Sequence, residues 1–546
     1  MKKSLIGTVC LAFASSFAFA QQTNTLASRS ITIEGVYNAD VTDAQKVMPM
    51  PEKPEFATES GEPEYAADGV PYMDFTRDAM TAPDQPQGDQ PVCDGLVKLG
   101  YGLHNDLDAA VNLRTVVGDN GLLSVTGGAT GWNGELEHDW KSRFYDTDLK
   151  VSYRHNLDGL LLDVSADAGY GFANFKPSSP YTYVLSRDSR NVLRGGVEAG
   201  ISCPSLSGLD YSARVGWDIF SQDNIAPSIV GRRGIENIFR LDGNVGGDLS
   251  ESLHLNVSVS AKTLFYRHLE TLSGAPYRGV TTISLKPVLS WKNTDVDLAA
   301  GADATFRSRF APHLQFSPYL HAVYRAASRL SFSAEINGGT DSYEMRRLYS
   351  LSPYYAMTSQ VRDGYTRLDA SIGAVWNVIG PLELALRGGY ASYSNHVFQT
   401  PSLGYDMMLS EMVQSDATVW YARLSGTFAS TDLFSLHSYV ECFSWKSKKP
   451  EQVLCMVPEV TGEIYAEGYI TDRFLLRGGY RYSLMRKCDG NRLPSVNDLN
   501  VGMTYRITDN LDAELKGTNL LCSRHYRFAG YRAENASVLA SLLLRF

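Results

Sequence analysis

The chain has 546 residues, of which 50 are Lys or Arg and 60 are Asp or Glu, so its formal net charge is −10 at pH 7. A chain without a basic field is a poor partner for nucleic acid, because that binding depends on neutralising phosphates. After the first twenty residues, no apolar run approaches the roughly 18 residues that a membrane-spanning helix needs.

The first twenty residues have the pattern of a secretory signal. Lys2 and Lys3 form a basic start, an apolar stretch follows, and small residues precede Gln21. Such a segment is removed on export and is not a membrane anchor. We expect cleavage near Ala20-Gln21, so that residues 1–20 are a signal peptide and the mature chain lies outside the cytoplasm.

Residues 21–91 are acidic and rich in proline. They contain 13 acidic and 4 basic residues, and the part from 48 to 91 holds eight prolines. This composition disfavours helices and central strands and predicts an extended periplasmic arm or linker. Within it, residues 31–41 (ITIEGVYNADV) alternate like a short strand. That stretch fits either a strand that docks a periplasmic partner or an ordered part of the arm.

From about residue 92 the sequence consists of alternating segments. In LELALRGGY the even-numbered Leu382, Leu384 and Leu386 are apolar, whereas Glu383 and Arg387 on the other face are charged. Apolar-out and polar-in is the pattern of a strand with lipid outside and water inside. A soluble sandwich produces the same pattern in one strand, but the number of such segments and their spacing favour a barrel.

Ten short polar turns divide this body at intervals of about 34 to 52 residues, at 104–106, 156–158, 205–208, 250–252, 293–295, 327–329, 379–381, 430–432, 471–473 and 508–510. Each interval fits two strands and one longer loop, which gives about 21 strands. Closure with both termini on one side needs an even number, so residues 70–80 (VPYMDFTRDAM) are the candidate for the missing strand. The sequence therefore predicts an all-β, antiparallel up-and-down transmembrane barrel over residues 92–546. We expect about 22 strands (range 18–24), with short periplasmic turns and long extracellular loops.

The end of the chain fits the strand that closes such a barrel. Every second residue counted back from the end is apolar, namely Phe546, Leu544, Leu542, Ala540 and Val538. An open sheet edge in lipid would leave unpaired backbone groups at a cost of several kcal/mol each. We therefore predict that these residues form the barrel-closing strand, with the terminal aromatic ring at the membrane interface.

Two stretches resemble a known family. GTNLLCSRHYRFAGY, followed by a strand that ends in Phe, resembles the C-terminus of TonB-dependent outer-membrane receptors. ITIEGVYNADVTDAQKV with the acidic linker resembles the start of short receptor-like barrel proteins of Bacteroidota type. The resemblance implies a Gram-negative outer membrane, with lipid or lipopolysaccharide, the barrel-assembly machinery and a periplasmic or TonB-type protein as partners.

The chain departs from that family at two places. Only about seventy residues separate Gln21 from the first confident strand, where the receptors carry a longer plug domain. Arg532-Ala533-Glu534 stands where they usually have Pro-Gly-Arg before the last strand. We therefore expect a receptor-like barrel without a recognisable plug domain.

The sequence offers no pattern for catalysis. Its ten histidines are scattered, none lies beside a GxSxG motif, and no CxxC or Cys/His spacing suggests zinc. We expect no enzyme activity, cofactor or metal. Cys442 and Cys455 bracket a turn-like stretch and are candidates for a disulfide; the alternative is that the cysteines are small residues on strands.

The best candidate for ligand binding is the loop from Tyr343 to Tyr355, whose side chains offer stacking faces and anion-binding forks. The predicted ligand-binding residues are Arg346, Arg347, Tyr349, Tyr354 and Tyr355, with Arg232 and Arg233 in another loop. The alternative is an aromatic membrane belt or a loop that faces lipopolysaccharide.

Two functions fit these observations. In the first, the barrel binds or passes a solute as a receptor, transporter or channel. In the second, it is a structural or assembly component that docks a periplasmic partner through its N-terminal arm. In both cases a barrel of about 22 strands leaks unless its own loops or residues 21–91 occupy the lumen.

Overall fold

The structure is a computed structural model that describes residues 95–546, except 119, 138–139, 158, 204–208, 227–231, 403, 431–433, 449–453 and 489. The predicted signal peptide, the predicted arm and the candidate strand at 70–80 lie outside the described residues. Within the described ranges, no helix has the length and apolar character needed to cross a membrane.

Twenty-two antiparallel strands form one closed barrel, which confirms the predicted fold. Each strand pairs with its neighbours in chain order, and the last pairs with the first. The strands β1 to β22 are Gly95–Gly102, Leu107–Val117, Gly121–Glu137, Trp140–Leu157, Leu160–Asn174, Ser189–Cys203, Leu209–Asp223, Arg233–Ser250, Leu253–Arg267, Val280–Lys292, Val296–Arg307, Leu314–Ala327, Leu330–Asp341, Gly364–Ile379, Leu382–Ser402, Leu409–Ser430, Phe434–Ser447, Val460–Thr471, Phe474–Leu484, Val496–Arg506, Leu511–Thr518 and Ser537–Arg545.

The alternation along each strand decides which side chains face outward. On β15, Leu386 is 57% exposed on the outer surface, whereas Arg387 points inward and pairs with Glu335 of β13 at 2.5 Å. On the last strand and at the C-terminus, the exposed side chains are Val538, Ala540, Leu542, Leu544 and Phe546. A continuous apolar exterior of this kind is the surface that a barrel presents to lipid.

The seam between β1 and β22 is fully paired. Seven residue pairs join the two strands. Gly95 and Phe546 exchange two backbone hydrogen bonds, each N–H donating to the other's carbonyl, at 2.8 and 3.1 Å. On the inner side, Nζ of Lys98 lies 2.7 Å from Glu514 of β21 and 3.1 Å from Asp108 of β2. Hydrogen bonds and an ionic bridge thus leave no open edge to lipid.

All 22 strands lie between residues 95 and 546, so the count does not require residues 70–80. The interval 107–157, which the sequence divided into two strands, holds three: β2, β3 and β4. The turn at 103–106 therefore lies at the end of the barrel that carries the long loops, here called the loop end, and not at the short-turn end. Interval counting missed the turn that begins at Gly118, whose φ of +68° is a conformation that glycine adopts without strain.

The long loops contain small elements of their own. A seven-residue helix, α1, spans Met345–Leu351, and a 3-10 turn spans Leu103–Asn105. The short strand pairings are Tyr181–Tyr183 with Gly404–Tyr405, Lys487–Cys488 with Asn491–Arg492, Tyr526–Phe528 with Tyr531–Arg532, and Tyr355–Ala356 with the start of β16.

One disulfide joins two adjacent loops. Cys455 is bonded to Cys488. The predicted bond between Cys442 and Cys455 is therefore wrong. Cys442 lies inside β17, opposite Ala422 and Val460 of the neighbouring strands, and a residue held in the wall is not free to meet a loop cysteine.

Candidate functional site

Residues 342–363 connect β13 to β14 at the loop end and fold into the barrel. We call them the lumen segment. Its helix α1 buries Met345, Leu348 and Tyr349. A helix of seven residues is marginal by itself, so packing against the wall stabilises it more than its own propensity does.

Charged residues on the inner faces of β5, β7 and β9 hold one side of the lumen segment. Arg346 of α1 pairs with Asp167 at 2.5 Å and lies 3.9 Å from Asp218. Just before the helix, Glu344 pairs with Lys262 at 2.9 Å. Each pair joins the segment to a different strand, so ionic contacts tether α1 to the wall.

A wall carboxylate also meets the start of α1. The backbone N–H of Met345 donates to Oε1 of Glu236 on β8 at 2.9 Å. Glu236 is buried, and the first N–H groups of a helix have no partner within the helix. The wall therefore supplies the acceptor that the helix itself lacks.

Tyr349 packs the helix against β6 and β7. Its ring lies 6.1 Å from the ring of Phe220, centre to centre, and 5.9 Å from the guanidinium carbon of Arg194. Arg194 forms an ion pair with Asp146 of β4. The aromatic ring is thus enclosed by apolar and ionic contacts on the inner face of the wall.

The opposite side of the lumen segment contacts β15 and β16. The side-chain amide of Gln399 donates to the carbonyl of Leu351 at 2.7 Å. The N–H of Ser410 donates to the carbonyl of Tyr354 at 3.0 Å, and Tyr355–Ala356 runs parallel to the start of β16. The segment therefore crosses the lumen from one wall to the other.

A buried arginine holds the middle of the crossing. The guanidinium carbon of Arg190 on β6 lies 4.2 Å from the ring centre of Tyr355 and 5.5 Å from that of Phe175. Its NH1 group donates to the carbonyl of Pro353 at 3.1 Å. Tyr355 has no exposed surface, and its hydroxyl donates to Gln222. Cation–π contacts in desolvated sites contribute about 2 kcal/mol, so this anchor is stronger than the exposed ion pairs.

At the loop end, apolar side chains form a cluster that we call the loop core. It includes Trp140, Phe175, Tyr354, Phe528 and Tyr531. The rings of Tyr354 and Tyr531 stack with centres 3.6 Å apart and planes 7° from parallel. Burial raises the pKa of Tyr354 to about 12, so its phenol stays protonated at neutral pH. The loop core thus fastens the lumen segment to the loop that precedes β22.

Among the described residues, inward-facing side chains at the short-turn end are exposed to solvent. The inward-facing Arg154 and Arg214 are 62% and 60% exposed, although they pair with Asp163 and Glu198. Toward the loop end, inward-facing residues such as Glu236 are buried beneath the lumen segment. Within the described part of the chain, the segment and the loop core lie across the loop end, and water reaches the lumen from the short-turn end.

The loop predicted to bind a ligand lies inside the barrel and is not an exposed belt. Four of its predicted residues contact the wall or the loop core: Arg346, Tyr349, Tyr354 and Tyr355. The fifth, Arg347, pairs with Asp341 at 3.5 Å and lies 5.0 Å from the ring centre of Tyr343. Ligand binding by these five residues stays a prediction.

Arg232 and Arg233 lie at the loop end of the wall. Arg233 pairs with Asp223 at 3.2 Å and donates to the hydroxyl of Ser221 at 2.9 Å, both on β7. Arg232 is exposed, and its carbonyl accepts a hydrogen bond from Asn224 at 3.0 Å. Arg233 therefore belongs to the structure of the wall, whereas Arg232 precedes β8 with an exposed side chain. The binding role of both stays a prediction.

Sequence reasoning missed the wall residues that hold the lumen segment: Asp167, Arg190, Asp218, Glu236 and Lys262. Their inward positions followed from the alternation of their strands. Nothing in the sequence marked which inward charges would meet a loop, because Arg346 and Asp167 lie 179 residues apart.

The contacts of this site hold the lumen segment against the wall. Its polar contacts are ion pairs, tyrosine hydroxyls and backbone hydrogen bonds. Among the described residues, no group of three or more His, Cys, Asp or Glu side chains is arranged to hold a metal ion.

No protein-family model matches this sequence, and no curated protein matches it. Solved structures match by fold. A mutant ferric enterobactin receptor of Pseudomonas aeruginosa in complex with enterobactin has a TM-score of 0.66 at 12% identity, over 83% of this chain and 81% of that chain. FpvA of P. aeruginosa, bound to an iron pyoverdine, has a TM-score of 0.62 at 13% identity, over 83% and 71%. The copper transporter OprC has a TM-score of 0.60 at 12% identity, over 83% and 80%. This chain therefore has the barrel fold of outer-membrane receptors and transporters.

Proposed function

We propose that this protein is an outer-membrane receptor that admits a solute through its barrel, with the lumen segment as the gate. The observation that carries the proposal is the path of residues 342–363, which cross the lumen and contact both walls. The shared fold supports a transport role, and a barrel of 22 strands has a lumen that something must occupy.

The two halves of the lumen segment differ in how firmly they are held. Arg346 and Asp167 are each about a third exposed, so water screens their attraction. Tyr355, by contrast, is fully buried beneath Arg190. We infer that α1 leaves the wall first while the Tyr355 end stays in place as a hinge.

A solute opens such a gate by binding the open state better than the closed one. A ligand that offers a carboxylate, phosphate or other anionic group would compete with Asp167 and Asp218 for Arg346. The structures of similar fold are a ferric enterobactin receptor in complex with enterobactin, FpvA with an iron pyoverdine and a copper transporter. Because these differ, the proposal names no cargo.

Single-channel conductance in planar bilayers tests the gate. The variant replaces residues 344–361 with a short Gly-Ser linker, and its matched control is Arg154→Ala, which removes a lumen charge at the short-turn end. We expect rare openings for the native chain and for Arg154→Ala, and steady, large conductance for the loop variant. Heat-modifiable migration on a gel checks that each protein has folded as a barrel. A native chain that already conducts as a wide pore, or a loop variant that conducts no better, contradicts the proposal.

A further inference from the structure

Glu236 on β8 is an enclosed carboxyl group at the contact between the wall and the lumen segment. Its side chain is 1% exposed. Oε1 accepts the N–H of Met345 at 2.9 Å, whereas Oε2 has no hydrogen-bond partner among the described residues. An ionised carboxylate loses far more on leaving water than one hydrogen bond returns, so a buried one without a counter-charge takes up a proton instead.

The wall beside Glu236 does not supply that counter-charge. Phe220 of β7 and Tyr266 of β9 lie directly opposite Glu236 on the neighbouring strands. Lys262 of β9 is the wall cation that faces the carboxyl group. Its Nζ lies 2.9 Å from Oε1 of Glu344, so its charge is already paired.

The loops do not supply it either. Glu344 and Tyr355 face Glu236 from the lumen segment, and Tyr277 faces it from the connection between β9 and β10. The two phenols are neutral near pH 7, and the carboxylate of Glu344 repels an ionised Glu236. The guanidinium of Arg346 contacts two aspartates of the wall instead. The described groups that face Glu236 therefore leave its negative charge without a partner.

We propose that Glu236 holds a proton while the gate is closed and releases it when α1 leaves the wall, so that rising pH opens the gate. This inference rests on the proposed function. In the open state water reaches the carboxyl group, which then ionises above about pH 4.3, as an exposed glutamate does. The closed gate keeps the proton to a higher pH. Low pH therefore stabilises the closed state, and the open fraction rises with pH by at most about tenfold per unit, the limit for one proton.

Infrared spectroscopy tests the proton directly. At about pH 7, where exposed glutamates are ionised, the native barrel should show the C=O band of a protonated carboxyl group. We expect Glu236→Gln to remove that band. The matched control is Glu198→Gln, which changes an exposed glutamate paired with Arg214 at the short-turn end and should keep the band. A native spectrum without the band, or a band that Glu236→Gln leaves unchanged, would overturn the proposal.

Single-channel recordings between about pH 5 and about pH 8 test the link to the gate. We expect the open fraction to rise several-fold with pH in the native chain and in Glu198→Gln. Glu236→Gln should stay mostly closed at every pH, because glutamine is always neutral. An open fraction that does not change with pH in the native chain, or a rise that persists in Glu236→Gln, contradicts the role of Glu236.

The variant with a linker in place of residues 344–361 separates this inference from the gate itself. That variant should conduct at every pH. If it does not conduct, the proposed gate is wrong. If it conducts and the native chain does not respond to pH, the gate stands and the proton at Glu236 is wrong. Heat-modifiable migration confirms folding of every variant before recording.

Discussion

Gly171 on β5 leaves the space that the hydroxyl end of Tyr349 occupies. A β-carbon at Gly171 would lie 2.7 Å from Cζ of Tyr349, closer than real β-carbons approach another heavy atom. The wall and the lumen segment therefore fit together at a point where a side chain on the strand would displace Tyr349. Because Tyr349 is buried on its other sides, a larger residue at Gly171 pushes α1 away from the wall.

Gly171→Val should loosen α1 without opening the barrel. Arg346 and Arg347 lie in α1, so trypsin cleaves there only when the helix leaves the wall. We expect faster cleavage at these two sites in Gly171→Val, followed by mass spectrometry of the fragments. The control is Gly478→Ala, since a β-carbon at Gly478 has no neighbour within 4 Å. Equal cleavage of the two variants would contradict the fit described above.

The ion pair between Arg346 and Asp167 should contribute only modestly to keeping the gate closed. Both side chains are about a third exposed, and pairs of this kind contribute about 1 kcal/mol or less. A double-mutant cycle with Arg346→Ala and Asp167→Asn, read from the fraction of time a channel is open, measures that coupling. The exposed pair of Arg154 and Asp163 serves as the control and should not change gating. Additive effects of the two substitutions would show that Asp167 does not act on the gate through Arg346.

Loss of the disulfide should free two loops. Cys455 and Cys488 are 33 residues apart and both are buried. Closing a loop of that length stabilises the folded state by roughly 3 to 4 kcal/mol in the chain-entropy account. We expect Cys455→Ser to increase protease cleavage in the two loops, at residues 448–459 and 485–495.

The exposed Cys522 offers the control for that experiment. Cys522→Ser should leave cleavage unchanged, and maleimide should label Cys522 in the native chain before any reduction. Labelling of Cys455 or Cys488 without a reductant would argue against the bond.

The stability of the folded loop that contains His525 should depend on pH. Burial, with a further contribution from Arg486, lowers the pKa of His525 from 6.5 to about 4, while Asp498 and Glu534 act in the opposite direction. The unfolded loop takes up a proton near pH 6.5, but the folded loop does so only near pH 4. The stability due to neutral His525 is therefore present above pH 6.5 and is lost as the pH falls toward 4, by at most roughly 3 kcal/mol.

Hydrogen exchange of residues 519–536 measures this dependence. After correction for the intrinsic rates, protection should be lower at about pH 4.5 than at about pH 7. His525→Gln should remove much of the difference. Protection that is the same at both pH values would show that His525 titrates normally.

The barrel could be predicted from the sequence because apolar and polar residues alternate along each strand. That alternation shows which side chains face outward and which face the lumen. Leu386 and Arg387 show this with two adjacent residues, and the apolar face of the last strand shows it again. The spacing of turns predicts an extra strand at 70–80 because it cannot distinguish two long strands from three shorter ones between residues 107 and 157. The position of a turn such as the one at Gly118 needs the pairing of β2 with β3, which no single segment encodes.

The lumen segment could not be predicted for a related reason. Tyrosines and arginines suit an outer loop, a membrane interface and a buried crossing equally well, so the composition of residues 343–355 does not choose among them. The choice depends on partners such as Glu236 and Gln399, which lie 109 residues before Met345 and 48 residues after Leu351. Long-range complementarity of that kind exists only once the cylinder has formed.

The stacking of Tyr354 on Tyr531 has a consequence for biogenesis. Tyr531 belongs to the last connection in the chain, between β21 and β22, so we expect its ring to reach Tyr354 only late in folding. We therefore expect closure of the barrel wall and closure of its loop end to be coupled steps. A barrel assembled in this order has no stage in which its wall is closed and its loop end is open.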